Sequence, residues 1–475
     1  MTLNVESEGV TALESKEAAS SLPDWEHDRQ NPNNWSLAKK IYNSAVPAFL
    51  CFAMQVPITF GLSIYTPQHG EIQEAFHVSS TVSLLPYALY VYGLGFGPMI
   101  AAPLSESYGR RLIYIVATPM SLLFTLGVGF SKNMGGILVC RFLAGTFGSP
   151  PLAVGAGTLT DLWGGRRIAR AMTLLFATSL LGPSLGPVVG GYIAEYTGWR
   201  WSQWTILFLG AAAWFFSFGA QETYGKVLLR TRAKRHGLPV PPRVPLKQLL
   251  TVTCTRPIYM LLTDPIVAFF SLYTSFVFSM LFSFLAAFPP VFQSTYGFSP
   301  GEGGLVFLGI TTGCTVGAGV AILIDQLIYQ KRLESLGSAI APEQRLWASL
   351  LGSVMMPVSL FWFAWTAQIS VHWMVPIVAA SFFGCAGILI FVSCILYMTD
   401  VYGAAYGASA MAANGLLRYG MGGSFPLFIP FMYDRLHTDW ATSLLAFLST
   451  AFIPLPWLLF WLGPRIRQLS SFSKQ

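Results

Sequence analysis

The chain has 475 residues, of which 53% are hydrophobic, 15% aromatic and only 10% charged, with a mean hydropathy of +0.55. Soluble globular domains carry about 25% charged residues, and soluble chains of this length divide into domains with polar surfaces, so the composition excludes that class and calls for a bilayer as solvent. The net charge of +7 does not imply a nucleic-acid partner, because the Lys and Arg residues lie in short segments between apolar runs, which is a topology pattern.

The first forty residues are polar and rich in acids (Glu6, Glu8, Glu14, Glu17, Asp24, Glu26, Asp28). No basic region followed by an apolar one is present, so no cleavable signal is expected. Low hydrophobicity predicts disorder at least to Ser20. Asn34-Trp35-Ser36 is a formal glycosylation sequon, unused if this tail is cytosolic.

A membrane helix needs about 20 mostly apolar residues. Twelve segments qualify: 41–65, 79–101, 112–131, 136–158, 170–195, 203–220, 262–288, 303–325, 346–366, 373–399, 404–430 and 442–462. The expected fold class is all-α integral membrane, with twelve transmembrane helices in two six-helix bundles. The organisation is a tail (1–40), a first bundle (41–220), a basic central loop (221–261), a second bundle (262–462) and a short tail (463–475). With the N-terminus in the cytosol, 23 of the 28 Lys and Arg fall on the cytosolic side. Only Lys132, Arg200 and Arg435 fall on the other face. This is the positive-inside bias, and it places both termini in the cytosol. Two related bundles around a central site are the usual plan of such a layout. Internal repetition is weak: the turns Glu106–Arg111 and Asp325–Arg332 share an acid-then-base order.

Between the second and third segments lies Pro103-Leu104-Ser105-Glu106-Ser107-Tyr108-Gly109-Arg110-Arg111. Glu106 and Arg110 are four apart, and a continuous helical turn would bring them together. Asp161 closes the fourth segment on the same side. Arg141 lies inside the fourth segment and Arg418 inside the eleventh. A charge at membrane depth costs roughly 3 kcal/mol or more and marks a functional site by default; a snorkelling or structural arginine is the alternative. In the fifth segment, Gly182, Gly186, Gly190 and Gly191 follow small-residue spacing that lets helices approach closely, while Pro183 and Pro187 each remove a backbone donor and bend the helix.

Asp161, Glu195, Asp264, Asp325 and Asp400 all map near segment ends. A polycation would need carboxylates at membrane depth to replace its hydration, so their scarcity points to a neutral, anionic or amphipathic organic substrate. Asp264 is a candidate proton carrier or, alternatively, a charge at a helix N-terminus. Gln55, Tyr87, Tyr273, Tyr397 and Asn414 are candidate pocket residues by position, or else packed ones. The six cysteines and six histidines show no metal-ligand spacing, and no phosphate-binding Gly-x4-Gly-Lys-Ser/Thr run occurs. No metal, cofactor or ATP-driven mechanism is expected, and no catalytic constellation that would make an intramembrane enzyme.

The turn 103–111 resembles the signature turn between helices 2 and 3 of the major facilitator superfamily. Arg141-Phe142-Leu143-Ala144-Gly145 resembles that superfamily's second motif, and the run from Gly182 to Gly191 resembles its antiporter motif. Trp199 to Trp204, Glu222-Thr223-Tyr224, Phe288 to Phe292 and Asn414 to Tyr419 are similar to stretches of fungal twelve-span drug:proton antiporters. The resemblance covers about residues 25–470. The chain departs from the pattern at Ala102, usually Gly, at Gln221, usually Pro, and at Ala286-Ala287, where relatives often carry an acid. The resemblance implies a gating latch made by Glu106, Gly109, Arg110, Arg111 and Asp161. It also implies a proton or substrate pathway through Arg141, with Asp264 and Arg418 as further candidates. The implied function is proton-coupled efflux of small apolar or amphipathic organic compounds by a monomer whose other partners are protons and the bilayer. The expected location is the plasma membrane, with the vacuolar membrane as the alternative. Import of a small nutrient on the same fold and a non-transporting membrane sensor are the rival functions.

Overall fold

The computed structural model describes residues 25–65, 76–164, 167–197, 199–235, 246–336, 340–470 and 472. The expected disorder up to Ser20 lies outside these residues. Among the described residues the regular structure is entirely helical. Among the described residues, nine helical stretches are long and apolar enough to cross a membrane. One of them, Tyr406–Gln468, reverses at His437, where φ is 57°, and so holds two crossings. Helices Leu37–Tyr65 and Trp199–Ser217 supply the first and sixth. The chain is therefore an all-α membrane protein of twelve spans in two groups of six.

Local signals explain most boundaries. Span 2 (Ser80–Tyr108) and span 3 (Arg110–Phe130) are parted by Gly109 alone, at φ 103°, a backbone state open to glycine and strained for other residues. Asn133 caps Met134–Gly148 through the N–H of Gly136. That helix continues as Pro150–Leu162 after a joint at Ser149, so span 4 is two segments and not one smooth rod. Spans 10 and 11 are parted at Gly403, φ 54°. Span 7 runs Pro265–Tyr296, two turns past the expected end at 288. Pro289 and Pro290 do not stop it, because neighbouring helices re-satisfy the freed backbone groups. It ends at left-handed Gly297, whose N–H is bonded to Gln293 and Phe292 carbonyls. The basic central loop is itself partly helical, with Gly225–Arg235 and Leu246–Thr263.

Span 7 is the most enclosed of those nine stretches, with 83% of its apolar window buried. Its buried residues include Phe270, Phe282, Phe284, Phe288 and Phe292 and also the hydroxyls of Ser271, Thr274, Ser275, Ser279 and Ser283, so helices and not lipid surround it. The end of the molecule bearing Gly109, Asp161 and Gly403 is called the turn end below; the end bearing Asn133, Gly297 and His437 is the far end. The two bundles meet chiefly along span 2 against span 11 and span 5 against span 8.

Candidate functional site

The signature turn is built into a network. Because Gly109 interrupts the helix, Arg110 does not stack on Glu106. The Arg110 guanidinium donates to Ser105 Oγ at 2.6 Å and to Asp161 Oδ2 at 3.3 Å. Its carbon lies 4.8 Å from the centre of the Tyr224 ring. Glu106 is exposed. The carboxylate that holds the turn is Glu222: it accepts the backbone N–H of Arg110 at 2.9 Å and of Arg111 at 3.1 Å, which are the free donors that open span 3. The same carboxylate accepts the N–H groups of Thr223 and Tyr224. Arg111 donates to the Phe218 carbonyl. Thr223 donates to Asp161 Oδ2 at 3.4 Å. Burial, with the nearby Glu106 adding to it, pushes the Tyr224 phenol up to about 12, so the ring beside Arg110 stays neutral. The expected grouping of Gly109, Arg110, Arg111 and Asp161 is thus close in space, whereas the Glu106–Arg110 pairing gives way to an Arg110–Asp161 ion pair.

The second bundle repeats this arrangement with Asp325 and Asp400, which the sequence places only at segment ends, and with Arg345 and Tyr329, which it does not single out. Arg345, at the start of span 9, pairs with Asp325 at 2.5 Å and with Asp400 at 2.8 Å. It stacks on Tyr329 at 3.5 Å, and Tyr329 itself donates to Asp400. An arginine opening the third crossing of a bundle, an aspartate closing the fourth and a tyrosine over the guanidinium occur in both halves. The true counterpart of Arg110 is Arg345, and not Arg332 in the turn. A signal existed: in a chain so poor in charge, an acid or arginine at a span end needs a partner.

Both intramembrane arginines are buried. Arg141 is 3% exposed, with its guanidinium 5.9 Å from the Tyr90 ring; Tyr90 donates to the Met54 carbonyl. Arg418 is 5% exposed and is ringed by Phe278, Phe391 and Tyr419 at 5.0, 4.8 and 4.7 Å. Gln55 reaches across from span 1 to the Tyr419 hydroxyl at 3.3 Å. The other pocket candidates scatter. Tyr87 bridges the bundles, donating to the Gly422 carbonyl at 3.1 Å. Asn414 donates to Thr274 within the second bundle. Tyr273 stacks on Phe452 and Tyr397 packs on Phe270. Beside Arg418 a cavity of about 20 Å³, lined by Leu180, Val277, Phe278 and Phe391 among others, has room for about one water. No organic cargo fits there without separation of the bundles.

The run from Gly182 to Gly191 lies on two contacts. Gly182 faces span 1, where a Cβ would sit 2.8 Å from that of Gln55. Gly191 and Pro187 face span 8: a Cβ on Gly191 would sit 2.4 Å from the Pro300 carbonyl oxygen, and one on Gly304 2.3 Å from that of Pro187. Gly186, Gly190 and Pro183 are buried in the same helix. One turn on, Glu195 accepts from the Gly301 N–H at 2.9 Å and from Ser299 Oγ at 3.1 Å. This far-end clasp between the bundles was not anticipated. Asp264 is 2% exposed at the turn end. It caps span 7 through the N–H groups of Ile266 and Val267, and accepts from Tyr402 at 2.7 Å and from Ser470. Both of its oxygens are occupied in structural bonds.

A family profile described as Major Facilitator Superfamily matches residues 48–426. The MFS-type transporter traF of Penicillium crustosum is 38% identical, covering 99% of this chain and 98% of its own. Polyamine transporter 4 of Saccharomyces cerevisiae is 38% identical over 95% of this chain and 73% of its own. Efflux pump FUB11 of Gibberella moniliformis is 34% identical over 96% and 77%. Among solved structures, the proton:xylose symporter XylE, bound to 6-bromo-6-deoxy-D-glucose, superposes with a TM-score of 0.67 at 13% identity, covering 90% of this chain and 96% of that one.

Proposed function

From the premise that the chain belongs to the major facilitator superfamily and is a multi-pass membrane transporter, we propose that it exports small apolar or amphipathic organic compounds in exchange for protons. The reading rests on one observation above others. The glycine–proline run of span 5 forms half of the contact between the bundles, against Pro300, Gly301 and Gly304 of span 8. A bent helix of small residues at that contact can change its packing without unmaking a large apolar core. The far-end clasp at Glu195 then acts as one gate of alternating access around the midplane, and the turn-end network at Arg110, whose partners Ser105, Asp161 and Glu222 all belong to the first bundle and its loop, positions the helix ends that form the other. The arginines Arg141 and Arg418 line the pathway between them. The distribution of Lys and Arg supports cytosolic termini, with the turn end inside, and the plasma membrane is the location that goes with an exporter. Efflux is supported by relatives that bear that name, such as FUB11.

Purified protein in proteoliposomes, loaded with a naphthalene-based fluorophore and given an imposed pH gradient, tests this. Fluorophore movement driven by the gradient, abolished by a protonophore, is the expected result. Movement indifferent to the gradient refutes proton coupling, and binding without movement refutes transport by this chain. A polyamine cargo, as the name of the yeast relative would suggest, is disfavoured by charge. Among the described residues the buried acids are Asp264 and Glu343. The first is consumed in capping, and the second is paired with Arg467 at 2.9 Å.

A further inference from the structure

We propose that Arg418 and the rings around it form a recognition site for the oxyanion of an amphipathic organic acid, so that the preferred cargo is an apolar body bearing one carboxylate or sulfonate. The inference deepens the exporter reading and rests on it. Arg418 sits inside span 11 at the contact between the bundles, 5% exposed. Its Nε and Nη1 meet no hydrogen-bond partner among the described residues. What it has is three aromatic faces, Phe278 from span 7, Phe391 from span 10 and Tyr419 beside it, all within 5.0 Å. Ring faces attract a cation but accept no hydrogen bonds in the plane of the guanidinium, and a buried charge lacking them is a net cost.

Two of those rings, Phe278 and Phe391, also line the small apolar cavity between the bundles. The arginine is therefore separated by those two rings from the space that must widen when the bundles part. A planar fork of donors fits a carboxylate or sulfonate with two parallel bonds, and the same rings offer a wall to the apolar body. Across the contact, Gln55 Oε1 is likewise buried without a partner, while its amide nitrogen bonds to the Tyr419 hydroxyl. That leaves an acceptor for a polar group elsewhere on the cargo. The field at this depth is positive: Arg141 and Arg418 are the buried charged side chains inside the spans away from their ends, and the buried acids lie at the turn end with partners of their own. A cation would meet the unsatisfied guanidinium of Arg418 here, and an anion would meet its complement.

Three probes of one shape separate the alternatives: 2-naphthalenesulfonate, neutral 2-naphthalenesulfonamide and 2-naphthyltrimethylammonium. Binding to the purified full-length protein in detergent is read by tryptophan quenching. The sulfonate is expected to bind at least about tenfold more tightly than the amide, and the cation more weakly than either. Arg418→Met should erase the preference for sulfonate while leaving the amide's affinity within about twofold. It should also melt no lower than the parent, because it removes an unsatisfied buried charge. Arg418→Lys keeps the charge and loses the fork, so it should weaken the sulfonate several-fold more than the amide. Binding that ignores charge, binding of none of the probes, retention of the preference in Arg418→Met, or equal weakening of sulfonate and amide in Arg418→Lys each overturns the proposal. Gradient-driven flux of the amide in proteoliposomes reports separately on the exporter reading: flux without charge preference leaves that reading standing and removes this one.

Discussion

Replacing Gly109 by alanine puts a methyl group where no space exists. The ideal Cβ would lie 2.2 Å from Glu222 Oε2, and the backbone sits at φ 103°. The backbone alone costs an L-residue about 1–2 kcal/mol. Displacing Glu222 also endangers its bonds to the N–H groups of Arg110 and Arg111. Hydrogen bonds to a charged group contribute about 1.5–3 kcal/mol each, and the Arg111 bond is exposed, so about 2–3 kcal/mol for the two together is reasonable. The expected cost of Gly109→Ala is therefore about 3–5 kcal/mol. In a Glu222→Ala background the collision and the bonds are both absent, and the cost should fall to the backbone term of about 1–2 kcal/mol. The double-mutant cycle thus carries a coupling of about 2–3 kcal/mol. Denaturation in detergent micelles measures it, with Glu106→Gln as the control; that exposed residue should change stability by less than about 0.5 kcal/mol. Equal costs of Gly109→Ala in both backgrounds, or a loss at Glu106 as large as that at Glu222, would refute the assignment of Glu222 as the holder of the turn.

Three further outcomes follow from the same contacts. Arg345→Met leaves Asp325 and Asp400 facing each other without a cation and should cost about 3–5 kcal/mol, toward the lower end because Asp400 is 28% exposed; thermal unfolding in detergent reads it, and a neutral effect would remove the network's structural role. Glu195→Gln weakens the charge-assisted bonds to Ser299 and Gly301, so labelling from the far side of a Gly303→Cys reporter, buried near the clasp where a Cβ meets nothing nearer than 3.7 Å, should accelerate several-fold, with an unchanged rate showing that the clasp does not hold the bundles. Arg141→Ala should reduce gradient-driven flux at least about a hundredfold while the protein still reaches the membrane; normal flux in proteoliposomes would make Arg141 a packing residue.

Much of this molecule follows from local chemistry that the chain order alone displays. Twelve crossings are legible because apolar length is set by bilayer thickness, whereas the breaks at Gly109 and Gly297, in backbone states that only glycine enters cheaply, are not: the pattern runs a helical turn through the first and ends span 7 at 288. The importance of Arg110, Asp161, Arg141 and Arg418 is legible from the expense of charge in a hydrocarbon. The partners are not. Glu222 lies 112 residues from Arg110, and Glu195 lies 106 from Gly301. Asp400 lies 55 from Arg345. Spacing along a chain says nothing about distance through a bundle, so the helical rule that put Glu106 beside Arg110 failed once Gly109 broke the helix between them. Tertiary packing also decided what each candidate became. Asp264 is a cap, because both oxygens are drawn to the start of span 7 and to Tyr402 and Ser470. Arg418 faces rings from three spans, because spans 7, 10 and 11 converge there. The sequence could name the charges; only the convergence of helices distant in sequence decides which meet an opposite charge, as Arg110 and Arg345 do, and which meet aromatic rings, as Arg418 does.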